Sequence, residues 1–144
     1  HKAFPFENFA KGLTSYSNYY SEQAQAVDFA KEKLNLKKGL ATYWNAKPAD
    51  LFNKSETRVY TCLPSGYADY YIVGNEQWFY SSGNDTSNLF NFILLGINED
   101  TATLYNYYGK PLEIVQFKSY NVLLYNDFIF KPSRAPFFVQ QNKN

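Results

Sequence analysis

The chain contains no methionine, and cysteine and histidine occur once each. Without Met and beginning His1-Lys2-Ala3, it reads as a mature product or as a fragment excised from something longer. A single cysteine, Cys62, excludes an internal disulfide and argues against a cysteine-based metal site. It sits in the β-like run Val59-Tyr-Thr-Cys-Leu63, the setting of a buried structural thiol. The one histidine is His1, so the body of the chain has no imidazole for a catalytic triad, for a metal site or for activating Cys62. The seven glycines are scattered and form no phosphate-cradling loop.

Long apolar runs are missing too. The longest, around Phe92-Ile-Leu-Leu-Gly-Ile97, falls far short of the ~20 residues that span a bilayer. No charged segment followed by an apolar one marks a signal peptide at the N-terminus. Fourteen basic and 13 acidic residues give a net charge of +1, with no basic stripe. Nucleic acid is therefore not an expected partner, and nothing promotes strong attachment to an anionic membrane.

Aromatic residues are what the chain has in excess: 14 Tyr, 13 Phe and 2 Trp make 20% of it. Two readings compete. One is the codon bias of an AT-rich genome, which favours Tyr, Phe, Asn and Lys together. The other is a surface for flat or amphipathic ligands, since Tyr and Trp join an apolar body to a polar tip.

The 144 residues suit one domain with its own core. Residues 1–20, with Phe4, Phe6, Phe9, Tyr16, Tyr19 and Tyr20, read as an aromatic lead-in without periodicity. Residues 21–127 read as the α/β domain, and 128–144 as a C-terminal tail with a polar end. Ser21 is a good N-cap for a helix whose Ala24, Val27, Ala30 and Leu34 share one face. Lysines 31, 33, 37 and 38 crowd its C-terminal side, and Gly39 is placed to close it. Leu40–Trp44 reads as an interior strand, after which Asn45 caps a short helix to about Phe52 with Pro48 in its first turn. A strand is expected over Thr57–Leu63 and another at Tyr70–Val73. Gly74-Asn75 then turns the chain into a short return at Gln77–Tyr80, followed by a polar loop over 81–88. Leu89–Leu95 is apolar nearly throughout, the mark of a strand buried on both faces. Asn98 is the expected cap of a helix with Leu104 and Tyr107 or Tyr108 inward, closed by Gly109. Leu112–Phe117 and Tyr120–Tyr125 are joined so tightly at Lys118-Ser119 that they read as a hairpin. The expected fold is a single α/β domain, three-layer-like, with a mixed sheet of about five to six strands and flanking helices.

No catalytic residue and no cofactor or metal site stands out. Asp69, Glu76, Asp85, Glu113 and Asp127 are the carboxylates from which a glycosidase pair would have to come. The aromatic–amide group Tyr43, Trp44 and Asn45 is the better candidate, because open α/β sheets bind ligands beyond the carboxyl ends of strands. Trp78 and Tyr80, with Phe79, supply a possible facing wall. Such a set suits a sugar, which offers C–H faces and hydroxyls. The structural alternative makes both tryptophans core residues closing the sheet end. Two N-x-S/T sequons, at Asn53 and Asn84, matter only for a eukaryotic secretory protein.

The run Gly39-Leu-Ala-Thr-Tyr-Trp-Asn-Ala46 resembles a strand motif in soluble C-terminal domains of multi-spanning bacterial membrane proteins. These include polyprenyl-phosphate-sugar-dependent glycosyltransferases and uncharacterised relatives. Arg58-Val-Tyr60, Gln77-Trp-Phe79, Asn91-Phe-Ile93, Gly109-Lys-Pro111 and Val122-Leu-Leu-Tyr125 follow in the same order across residues 25–127. The resemblance implies an extracytoplasmic location, periplasmic or on the external face of the membrane. Its implied partners are the membrane portion of the parent protein and a glycan or polyprenyl-linked sugar. It also implies that catalytic carboxylates lie in the membrane portion, so none is carried over. The function expected is a non-catalytic domain assisting glycan or lipid-linked sugar recognition. The alternatives are a small glycan hydrolase and a protein-interaction module.

Overall fold

A computed structural model describes residues 19–62, 89–129 and 137–138. The elements expected between residues 63 and 88, most of the lead-in and most of the tail lie outside the described residues.

Helix α1 spans Glu22–Lys33. Ser21 starts it, its Oγ accepting from the Ala24 N–H at 3.1 Å, and Glu22 and Lys31/Lys33 complement the two ends of the helix dipole. Ala24, Ala26, Val27 and Ala30 are fully buried, so the inward face is built of small side chains. Gly39 does not close this helix. The chain leaves it at Leu34, in an extended conformation, because Leu34 and Leu36 both turn into the core. Asn91 fixes that exit, accepting from Lys37 N–H at 2.8 Å and donating to the Asn35 carbonyl at 2.7 Å. Gly39 instead lies in strand β1 (Lys38–Thr42), beneath the Phe92 ring, where a Cβ would fall 2.2 Å from ring carbons.

Helix α2 (Tyr43–Phe52) follows β1 without a loop. The strand is thus shorter than expected, and Tyr43 and Trp44 belong to the helix. Thr42 rather than Asn45 is the N-cap residue, and Pro48 stands in the sixth helical position. Strand β2 (Val59–Cys62) returns parallel to β1, completing a βαβ unit. The connection is fixed by Asn53, whose amide donates to the carbonyls of Ala49 and Thr57 while its oxygen accepts from Thr57 N–H.

Strand β3 (Phe90–Gly96) lies on the other side of β1, also parallel. Six of its residues are buried, as their apolar run requires. An irregularity at Asn91 sends Phe90 and Phe92 into opposite cores. Helix α3 (Thr101–Tyr108) is capped by Asp100 and not by Asn98, the Asp100 carboxylate accepting from Ala102 N–H at 2.9 Å. Gly109, at φ +74°, closes it. Strands β4 (Glu113–Phe117) and β5 (Tyr120–Ile129) form the hairpin, turning at Lys118 and Ser119 with Lys118 at φ +49°. β5 runs beyond the expected Tyr125 because Phe128 is fully buried, and the two-residue β6 (Phe137–Phe138) pairs with its end.

The sheet order is β2-β1-β3-β5-β4, with β6 also on β5. Helices α1 and α2 cover one face over Ala41, Val59, Phe92, Leu94 and Val122. Helix α3 covers the other with Leu104 and Tyr108, over Leu40, Ile93, Leu95 and Leu123. The architecture is a three-layer mixed α/β fold, as the alternation of elements required. No helix among the described residues is long and apolar enough to cross a membrane.

Candidate functional site

Because β1, β2 and β3 are parallel, Thr42, Cys62 and Gly96 bring their carboxyl ends to one edge. Here β1 runs straight into the N-terminus of α2, and the turn after β3 delivers Glu99 and Asp100. Glu99 is the hub. Its Oε1 accepts from the Thr42 hydroxyl at 2.8 Å, and its Oε2 from the Asn45 amide at 3.2 Å and from Gly96 N–H at 2.6 Å. One carboxylate thus ties together β1, α2 and β3. Thr42 points its hydroxyl at Glu99 and makes no side-chain cap to α2.

The wiring extends further. The Asn45 side-chain oxygen accepts from the Gln23 amide of α1 at 3.3 Å. Burial pushes the Tyr120 phenol up, and the Glu22 and Glu99 carboxylates add to the effect.

Below the rim is a cavity of about 120 Å³. Its walls come from Ala41, Cys62, Ile93, Leu94, Leu95 and Leu104, and Thr42, Glu99 and Asp100 supply its polar groups. Such a space is far below the roughly 300–1,000 Å³ of sites that enclose a whole small molecule. It has room for a substituent only.

Of the residues singled out in the sequence, Tyr43, Trp44 and Asn45 are gathered at this edge, in the first turn of α2. Trp44 is 81% exposed and meets the half-buried Tyr43 ring edge-on at 5.0 Å, so it is not a core residue closing the sheet. Asn45 is engaged internally by Glu99, Thr42 and Gln23 and serves to position the edge. Trp78 and Tyr80 lie outside the described residues, as do Asp69, Glu76 and Asp85. Of the remaining carboxylates, Asp127 pairs with Lys37 and Glu113 stands exposed on β4.

Thr42, Glu99, Gln23 and Tyr120 were not picked out from the sequence. Glu99 read as first-turn charge for a helix capped at Asn98. The available signal was its place just past the end of the most apolar strand.

The fold and the site define a three-layer α/β domain with an aromatic and hydrogen-bonding edge beyond its parallel strands. No family model matches the chain, and neither curated proteins nor solved structures gave a significant match.

Proposed function

We propose that this chain is a non-catalytic glycan-recognition domain, carried on the extracytoplasmic side by a membrane-anchored, glycosyltransferase-like protein. The observation that carries the reading is Trp44. A tryptophan 81% exposed on the first turn of a packed helix leaves a large apolar face in water, on the same turn that joins Thr42 and Asn45 to the Glu99 carboxylate. That pairing suits a sugar, whose C–H face stacks on the indole while its hydroxyls meet polar groups. Pro48 adds an acceptor. Lacking an N–H, it leaves the Trp44 carbonyl without its helical i+4 donor, on the same exposed turn.

Calorimetric titration against a panel of neutral, amino and lipid-linked sugars tests the reading. Saturable binding that Trp44→Ala weakens by about fivefold or more is the expected result, since loss of a stacking aromatic removes upwards of about 1 kcal/mol. A panel without any binding sinks it.

A second reading, a protein-interaction module, is favoured by Leu112 and Ile114, 62% and 50% exposed at the sheet's β4 edge. Under that reading Ile114→Lys would abolish capture of the parent protein's membrane portion and leave any sugar binding intact.

A further inference from the structure

The cavity beneath Glu99 narrows the ligand class, an argument that rests on the glycan-recognition reading. Its walls are apolar, with Ile93, Leu95, Leu104 and Cys62 among them, so it favours a small aliphatic group over a hydroxyl. At about 120 Å³ it is somewhat smaller than the ~150 Å³ apolar cavity that takes a benzene ring, so a sugar ring stays outside. The charged groups at its mouth, Glu99 and Asp100, are both acidic. A phosphate or carboxylate seated there would face like charge in a partly buried setting.

The N-terminus of α2, which would otherwise attract an anion, already has the Glu99 carboxylate beside it, held by Thr42 and Asn45. Glu99 therefore both repels anions and offers acceptor capacity to an incoming N–H. Oε1 has one donor among the described residues and a second lone pair.

We infer that the site takes an acetamido sugar, the acetyl methyl entering the apolar cavity and the amide N–H donating to Glu99. The ring lies outside, at the strand-end edge that carries Thr42 and Glu99. For a lipid-linked sugar, the phosphate is held away from this edge.

The test titrates the full 144-residue chain with chitin oligomers, their deacetylated forms, cello-oligosaccharides of equal length and N-acetylglucosamine phosphate. The expected result is chitin oligomers binding tightest. The margin is about tenfold or more over cello-oligosaccharides, which lack both the amide N–H and the methyl. Over the deacetylated forms it comes from the buried methyl, and over the phosphate from repulsion by Glu99 and Asp100. Glu99→Gln should reduce that preference severalfold. Leu104→Phe, which fills the cavity from α3, should abolish the preference for chitin oligomers over cello-oligosaccharides. It also serves as the test if Glu99→Gln fails to fold, which its thermal melt reveals. Equal affinity for all the sugars, or tighter binding of the deacetylated or phosphorylated ones, overturns this inference and leaves glycan recognition standing. Failure of every sugar to bind overturns both.

Discussion

At the scale of single residues, Gly39 shows how far position can depart from expectation. Glycine beside a lysine-rich segment reads as a helix terminator, yet here it makes room for the Phe92 ring. Phe92 is fully buried and has nowhere to retreat. Gly39→Ala should therefore cost about 1–3 kcal/mol through overpacking. Urea unfolding measures this, and pairing the change with Phe92→Leu should recover part of the loss. Asp28 makes a different case. Burial alone would raise its carboxyl, but N–H groups of Lys54 and Ser55 and the Tyr20 hydroxyl donate to it and hold it below the ordinary 3.8. A carboxyl depressed on folding contributes stability above its unfolded value, lost as pH falls through the folded one. Asp28→Asn should therefore weaken the protein at neutral pH and flatten its loss of stability below about pH 4. Urea midpoints across that range decide it; parallel curves for the two proteins would contradict the assignment.

At the scale of elements, what was legible came from local chemistry. Ser21 as a cap, Gly109 as a terminator, the short Lys118-Ser119 turn and the unbroken apolar run of β3 each carry their own signal. The β1–α2 junction does not. Tyr43 and Trp44 favour strands by propensity, but the chain leaves the sheet at Thr42 because Ala46 and Ala49 must lie against its face. Tertiary packing overrides the local preference. The α1–α2 layer is close because its inward residues are mostly alanine, so Ala49→Leu should cost about 1–3 kcal/mol, read from a lowered thermal midpoint. The hub of the site was hidden for a related reason. Glu99 finds Thr42 and Asn45 more than fifty residues away in sequence, a meeting that only the parallel pairing of β1 with β3 creates.

At the scale of the whole molecule, the sheet order sets everything else. Placing β3 between β1 and β5 buries it on both faces, so Leu94→Ala should cost about 2–5 kcal/mol in chemical unfolding. The same order aligns three carboxyl ends at one edge, where ligands of open α/β sheets bind. The α/β class was readable because helix and strand patterns alternate along the chain. Of the site, the sequence singled out Tyr43, Trp44 and Asn45 but not the Glu99 hub that Asn45 meets.

The most direct measurement is heteronuclear NMR of the tryptophan indole N–H groups during a glycan titration. There are only two such signals, and Trp44→Phe assigns them by deletion. A saturable shift of the Trp44 indole, with binding weakened in Trp44→Phe, is the result this account predicts. A Trp44 signal unmoved by every glycan would contradict it, because the exposed indole would then have no part in recognising a sugar.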